Sequence, residues 1–115
     1  MEGPFSIKLR GEFTVVEFQT ASLMNAPELE RVSKALSDMV DNHHSGRVVL
    51  DFTPVQYLAS QAIAIIVNLH KKTAAIKGGR LIVCGLSPPL LQLLKITRMD
   101  RVLKIVNDQK EATGA

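Results

Sequence analysis

The stretch that decides the fold is VVLDFTPVQYLASQAIAIIVNLHKKTAAI, which runs from Val48 to Ile76. Its first residues, Val48 to Phe52, are apolar apart from Asp51, a pattern typical of a buried strand. A proline-containing connection from Thr53 to Leu58 leads into a helix that we expect to run from about Gln61 to Ile76. Because the first N–H groups of a helix have no partner within it, we expect function at this corner.

Two strands and one helix are predicted upstream of this unit. Phe5 to Leu9 alternates apolar and polar residues, and Phe13 to Phe18 is rich in β-branched and aromatic residues. Gly11-Glu12 suits a turn between them, so the two strands should pair as a hairpin or lie side by side. Asn25 begins a capping-box pattern, and an apolar stripe at helical spacing follows it to about Asn42.

The downstream part continues the alternation of strands and helices. Arg80 to Cys84 is predicted as a strand, Ser87 as the start of a short helix, Val102 to Val106 as a last strand, and Asp108 as the start of a C-terminal helix. The whole chain, residues 1–115, is therefore predicted to be a single α/β domain. We expect a mixed, mostly parallel sheet of about five strands with four helices, the long ones packed on one face.

Composition narrows the classes of function. The chain is 46% hydrophobic and 22% charged, and it has neither an apolar run of the roughly 18 residues that span a bilayer nor a signal-peptide pattern. We therefore expect a cytoplasmic protein without membrane insertion. Residues 1–57 carry five Lys/Arg against eight Asp/Glu, and residues 58–115 carry nine against three. The basic residues lack interleaved aromatic residues, so we expect no direct binding of nucleic acid.

Neither a metal nor another cofactor is indicated. His43 and His44 are adjacent, His70 is distant, and no third ligand of suitable spacing accompanies them. The glycines do not form a nucleotide-binding motif. Cys84, the single cysteine, lies in an apolar run, where a buried and inert thiol is expected.

The chain from Val48 onward resembles the STAS family, the domain shared by sulfate transporters and anti-sigma-factor antagonists. The first third agrees with that family in the order of its elements. The resemblance implies a STAS-like fold. It rests on the segments VVLDF, VQYLAS, the helix from Ile63 to Ala74, GGRLIVCGLSP and ITRMD, and it reaches Glu111-Ala112.

In the antagonist members of the family, the helix after the third strand opens with Asp-Ser-Ser-Gly or a near variant. The first serine of that motif is phosphorylated by a partner that is both an anti-sigma factor and a kinase. This serine corresponds to Ser60, so the resemblance implies that Ser60 is the phosphorylation site. The other positions of the motif hold Ala59 for the aspartate, Gln61 for the second serine, and Ala62 and Ala64 for two glycines.

The same corner is the expected binding surface for the partner. In such antagonists an acidic residue on the loop before the first helix belongs to the phosphorylation region, and Ser22 and Asn25 occupy roughly that stretch here. The start of the second helix is apolar on every side, so part of it should remain exposed for a partner. The predicted partner-binding residues are Ser22, Asn25, Ala59, Ser60, Gln61, Ala62, Ile63 and Ala64.

Three functions are compatible with these observations. The first is a bacterial regulatory module for transcription that binds an anti-sigma factor/serine kinase and is released when Ser60 is phosphorylated. The second is a non-phosphorylated STAS scaffold or accessory subunit of a signalling or transport system, in which Ser60 only caps its helix. An enzyme with Ser60 as nucleophile is disfavoured, because Leu58 and Ala62 replace the glycines of the nucleophile elbow. The oligomeric state stays open between a monomer and a weak dimer.

Overall fold

The computed structural model of the chain describes residues 5–43 and 46–114. Within these residues no helix combines the length and the apolar character needed to cross a membrane. The elements in chain order are β1 (Phe5–Arg10), β2 (Phe13–Phe18), β3 (Ser22–Leu23), α1 (Ala26–His43), β4 (Arg47–Asp51), β5 (Tyr57–Leu58), α2 (Ser60–Ala74), β6 (Arg80–Cys84), α3 (Pro88–Ile96), a 3₁₀ turn (Met99–Arg101), β7 (Lys104–Ile105) and α4 (Gln109–Thr113).

The main sheet has five strands in the order β1-β2-β4-β6-β7. Strand β1 pairs antiparallel with β2 through the turn at Gly11-Glu12, and all other neighbours in this sheet are parallel. The parallel neighbours are joined by helical crossovers, as parallel pairing requires. The predicted mixed, mostly parallel sheet with four helices is therefore confirmed.

The sheet is covered on both faces, but unequally. Helices α1 and α2 pack together on one face, where the larger apolar cluster lies, and this confirms the prediction that the long helices share a face. The short helix α4 covers part of the other face. The sheet residues in the larger cluster are Val16, Val48, Leu50, Leu81 and Val83, and those in the smaller cluster with Ala112 of α4 are Val15, Val49, Ile82 and Cys84.

Helix α1 begins and packs as its sequence indicates. The Oδ1 atom of Asn25 accepts a hydrogen bond of 3.0 Å from the N–H of Glu28, which caps the helix. The helix continues to His43, one residue beyond the expected end. The predicted apolar stripe is buried, and its members are Leu29, Val32, Leu36, Met39 and Val40.

Several boundaries differ from the expectation. The last strand comprises only Lys104–Ile105, because the chain before it forms the 3₁₀ turn and Val102 is exposed beside that turn. Helix α2 begins at Ser60 and ends at Ala74, so it is shifted toward the N-terminus relative to the predicted range. Strands β3 and β5 were not predicted, since two residues are too few to show an alternating pattern.

Gly85 holds the end of β6 close to the loop after β4. Its backbone has φ = +72°, a value that side chains with a Cβ rarely adopt. A Cβ at this position would lie 2.5 Å from both Oδ1 of Asp51 and Oγ1 of Thr53. These two atoms are themselves joined, because Asp51 accepts hydrogen bonds from the hydroxyl and the N–H of Thr53.

Replacement of Gly85 by alanine should therefore lower the free energy of unfolding by more than the strain of a positive φ alone would. Gly11 is the matched control, because its φ is +63° and, apart from Gly11 itself and its two chain neighbours, no described residue has an atom within 4 Å of the position its Cβ would take. We expect Gly11→Ala to lower the free energy of unfolding by about 1–2 kcal/mol, and Gly85→Ala to lower it by at least about 1 kcal/mol more, because of the added clash. Urea denaturation of the two variants measures the difference. Equal losses would contradict the packing role of Gly85.

Candidate functional site

Two loops meet at the carboxyl ends of β2 and β4. The loop after β2 contains β3, and the loop after β4 contains β5; these strands pair in parallel as a separate two-stranded sheet. The carbonyl of Ala21 accepts hydrogen bonds from the N–H groups of Gln56, at 2.7 Å, and Tyr57, at 3.1 Å. The carbonyl of Leu23 accepts a bond of 3.0 Å from the N–H of Ala59. The start of α2 is thereby fixed beside the loop that leads into α1.

The exposed side chains of this region form one candidate binding surface. Ser60, Gln61 and Ala64 are exposed on the first turns of α2. Tyr57 is 60% exposed and Met24 is 54% exposed, although both are large and largely apolar. We name this region the junction surface and define it by Met24, Asn25, Tyr57, Ser60, Gln61 and Ala64.

The structure divides the predicted partner-binding residues into three groups. Asn25, Ser60, Gln61 and Ala64 are exposed. Ser22, Ala59 and Ile63 are half-buried at the margin of the junction surface. Ala62 is only 4% exposed and belongs to the core, so its side chain is not available to a partner in this conformation.

The apolar start of α2 is split between core and surface. Ile65 and Ile66 are buried with Ala62, whereas Ala64 is exposed and Ile63 is half-buried. The expectation that part of this apolar set stays exposed is therefore confirmed. The split follows from helical geometry, because successive residues point about 100° apart.

Met24 and Tyr57 have the two largest exposed side chains of the junction surface, and neither is among the predicted partner-binding residues. Tyr57 is the single tyrosine of the chain and lies in the connection between β4 and α2 that contains β5. A lone aromatic residue in such a loop was the available signal. Met24 gave no comparable signal, because a methionine beside Leu23 is equally compatible with the core.

Ser60 does not cap α2. The N-cap residue is Ala59, whose backbone is extended, and none of the side chains that the structure describes accepts a hydrogen bond from this end of the helix. Ser60 is the first helical residue, and its hydroxyl makes no hydrogen bond to any residue that the structure describes. The interpretation of Ser60 as a cap is therefore wrong. The helix begins one residue earlier than this interpretation requires, so the serine lies in the first turn instead of at the cap.

The electrostatics of this helix start favour an added negative charge. The first turn of α2 contains no acidic residue, whereas the last turn contains Lys71 and Lys72. The N-terminal end of a helix carries the positive end of its dipole, which stabilises anions. A phosphate on Ser60 would lie at that end.

A cluster of polar side chains lies near the carboxyl ends of β2 and β4, close to the same two loops. The side-chain amide of Gln109 donates to Oε2 of Glu17 at 2.5 Å and to Oδ2 of Asp51 at 2.6 Å. Its carbonyl accepts a bond of 3.2 Å from Nη1 of Arg10. Lys8 forms an ion pair of 2.8 Å with Glu17. The cluster therefore ties the first residue of α4 to three strands, and both carboxylates already have partners.

The cluster shifts the ionisation of Glu17. The hydrogen bond from Lys8, followed by the one from Gln109, lowers the pKa of this carboxyl group. Burial and the nearby charge of Asp51 oppose the shift but are smaller. Glu17 is therefore ionised at neutral pH and serves as an acceptor in the folded state.

The thiol of Cys84 lies beneath this cluster. It is fully buried, as expected from its apolar neighbours in the sequence. Burial, followed by the charges of Asp51, Asp108 and Glu17, raises the pKa of the thiol to about 12. Cys84 is therefore protonated at neutral pH, and the thiolate needed for reactivity is not formed.

Among residues 5–43 and 46–114, no three His, Cys, Asp or Glu side chains are arranged to hold a metal ion. His44 and the side chain of His43 lie outside the described residues. His70 lies on α2, away from the loops of the junction surface, and its Nδ1 atom is buried without a hydrogen-bond partner in the described part of the chain.

The comparisons with known proteins agree with this architecture. The sequence model of one family, described as the STAS domain, matches residues 6–112. A Bordetella bronchiseptica protein described as the anti-sigma factor antagonist BtrV is 24% identical over 93 residues, which cover 81% of this chain and 78% of that protein.

Solved structures show the same fold at low sequence identity. A Thermotoga maritima protein described as an anti-sigma factor antagonist superposes with a TM-score of 0.85 at 21% identity, over 96% of this chain and 92% of its own. The Bacillus cell fate determinant SpoIIAA, solved in its phosphorylated form, has a TM-score of 0.73 at 14% identity and covers 96% of both chains.

The absence of a cap at Ser60 leads to a stability prediction. We expect Ser60→Ala to change the free energy of unfolding by less than about 0.5 kcal/mol, because the hydroxyl makes no hydrogen bond to residues 5–43 or 46–114. Asn25→Ala is the matched control, since Asn25 does cap its helix, and it should cost about 0.5–2 kcal/mol. Thermal or urea denaturation measures both. A loss at Ser60 as large as the loss at Asn25 would restore the cap interpretation.

The lowered pKa of Glu17 leads to a prediction about acid. A carboxyl group with a depressed folded pKa stabilises the protein above its unfolded pKa, near 4.5, and loses that contribution as the pH falls through the folded pKa. We expect Glu17→Gln to be less stable than wild type at pH 7 and the difference to shrink below pH 4.5. Urea unfolding across this range provides the measurement. A difference that stays constant with pH would exclude the charged form of Glu17 as its source.

Proposed function

The chain belongs to the STAS domain family, and from this premise we propose that it is a protein-binding regulatory module of the anti-sigma-factor-antagonist type. It binds an anti-sigma factor that is also a serine kinase, and phosphorylation of Ser60 releases it. It acts by binding rather than by catalysis, in the cytoplasm, in signalling that controls transcription.

The observation that carries this proposal is the state of the Ser60 side chain. Ser60 is exposed, it is the first residue of α2, and its hydroxyl has no hydrogen-bond partner among the described residues. A kinase could therefore reach the oxygen without breaking a hydrogen bond to any residue in the described part of the chain. The negative charge of a phosphate would also interact favourably with the helix dipole. These features support modification of the folded domain rather than of an unfolded segment.

The chemistry of the junction surface supports a switch in binding. None of its six defining residues is charged, and Met24, Tyr57 and Ala64 present apolar atoms to solvent. Covering such a surface with a partner is favourable, because its apolar atoms are removed from water. A phosphate adds a charge of roughly −1.5 to −2, and burying that charge against a partner without a matching cation is costly. Phosphorylation would therefore weaken binding without unfolding the protein.

A second candidate is a STAS scaffold that is not phosphorylated. The observation in its favour is Ala59, which stands where the antagonist motif has an aspartate and provides no carboxylate beside Ser60. In this role the protein would use the same junction surface as an accessory subunit of a signalling or transport assembly. The two candidates differ in one measurable property, the response of partner binding to charge at residue 60.

We expect Ser60→Asp to fold normally and to lose the partner, because the charge lies in the contact surface. Wild type and Ser60→Ala should still bind it. The partner to use is an anti-sigma factor with a kinase fold from the same genome, and calorimetric titration measures its affinity. Gln92→Asp is the matched control, since it places the same new charge on α3, where Gln92 is exposed and lies outside the junction surface. It should leave the affinity unchanged.

Phosphate transfer is tested with the same partner and ATP. Intact mass measurement should show one added phosphate on wild type and on Gln92→Asp, and none on Ser60→Ala. If all four proteins bind the partner equally and none receives phosphate, the unswitched scaffold is the function.

A further inference from the structure

Strand β1 is an open edge of the main sheet. It pairs with β2 on one side, and no strand within the described residues pairs with its other side. The strand has six residues, without proline and without an interruption in its pairing with β2. Leu9 on this edge is 80% exposed and Ile7 is 47% exposed. An unpaired edge strand presents backbone N–H and C=O groups that can pair with another strand, and here one face of the strand is apolar.

The side chains of β1 alternate between the two faces of the sheet. Phe5 and Ile7 pair with Phe18 and Val16, which belong to the large apolar cluster under α1 and α2. Leu9 follows on the same face because strand side chains repeat every two residues. The opposite face carries Ser6, Lys8 and Arg10, of which the last two contact Glu17 and Gln109.

A groove continues from the apolar face of β1. It has a volume of about 540 Å³ and is bordered by Ile7 and Leu9 on the strand and by Ala35, Asp38 and Met39 on α1. The exposed apolar residues of the edge therefore form the rim of a partly apolar depression.

The backbone groups that point to the open edge follow from the hairpin. Arg10 and Phe13 face each other directly across the two-residue turn, so they form a hydrogen-bonded pair. Hydrogen-bonded and non-hydrogen-bonded pairs alternate along an antiparallel ladder. The N–H and C=O groups of the even-numbered residues therefore point to β2. Those of Phe5, Ile7 and Leu9 point to the open edge.

We propose that β1 is a self-association edge, at which two copies of this chain pair their β1 strands antiparallel about a two-fold axis through Ile7. This pairing joins the two five-stranded sheets into one. Ile7 faces Ile7 of the second copy, Phe5 faces Leu9 of the second copy, and Ser6 faces Lys8 of the second copy.

The charges and side chains of β1 select this register. It places the residues with outward-pointing backbone groups opposite each other and keeps all three apolar residues on one continuous face. A two-fold axis at Lys8 would place two lysines directly opposite, which is unfavourable. An axis at Ser6 would leave Leu9 without an opposing residue in the strand. An axis between Ile7 and Lys8 would place an apolar residue opposite a charged one.

The contact is short, so the dimer is weak. It adds one strand pair and the burial of Leu9 and Ile7, which is less than the area of a stable interface. The association should therefore depend on concentration. Strand β1 contributes nothing to the junction surface, so dimer formation and partner binding can be measured separately.

Sedimentation equilibrium at protein concentrations up to about 1 mM tests whether the chain associates with itself through β1. We expect the weight-average mass of wild type to rise from 12.6 kDa toward twice that value. Leu9→Lys should remain monomeric, because a charge would face Phe5 of the second copy. Ile96→Lys is the matched control, since Ile96 is 69% exposed on α3, away from β1, and it should associate like wild type.

Two results would overturn the proposal at this stage. One is a wild-type protein that stays monomeric over the whole range, which leaves the edge to a strand from a different protein. The other is equal association of Leu9→Lys and Ile96→Lys. Unfolding curves of both variants establish that they are folded.

Single-cysteine variants test the register. Ser6 and Lys8 of the second copy would form a non-hydrogen-bonded pair with Cα atoms about 4.5 Å apart, within the range for a disulfide. A mixture of Ser6→Cys and Lys8→Cys should therefore form mixed disulfide dimers under mild oxidation, several-fold more than either variant alone. Cys84 is buried and should not react. Predominant cross-linking of either variant with itself would overturn this pairing.

Discussion

The parallel pairing of β2 with β4 is the constraint on which the candidate site depends. Because the strands run in the same direction, the loops that follow them leave the sheet at the same edge. Their backbones then pair as β3 and β5, with the carbonyls of Ala21 and Leu23 as acceptors. The junction surface is thus assembled from residues more than thirty positions apart in the chain, and its shape is set by backbone bonds rather than by the identity of the side chains.

The same backbone bonds explain why the hydroxyl of Ser60 needs no hydrogen-bond partner among the described residues. A helix start needs something to fix its first residues, and a capping side chain is the usual solution. Here the N–H of Ala59 is bound by the carbonyl of Leu23, and the carbonyl of Ala59 accepts from Ala62. The position of the helix is therefore determined without the serine hydroxyl. A residue that contributes little to the folded state can carry a modification, since gaining a phosphate there breaks no hydrogen bond within the ranges that the structure describes.

The sequence predicted the elements that have enough residues to show a period, and it failed where tertiary contacts decide. Strand β2, helix α1 and strand β6 each contain a clear pattern, and their observed bounds agree with it within one or two residues. In contrast, β3 and β5 exist only because their two loops meet, and Gln109 bridges Glu17 and Asp51 across 58 to 92 positions of the chain. The position of Ser60 within the first turn rather than at the cap also depends on β5, which sets where the helix can begin.

Strand β2 lies between the proposed self-association edge and the junction surface. It pairs with β1 along one side, and its carboxyl end leads into the loop that contains β3. A dimer joined through β1 would carry two junction surfaces, one on each copy. A partner with two binding sites could then engage both, and the second contact would form at the high effective concentration set by the first. Such a partner would favour the dimer to the same degree that the dimer favours the partner, because linkage between binding equilibria is reciprocal. A weak edge contact can therefore influence the binding of such a partner at protein concentrations where it forms no dimer by itself.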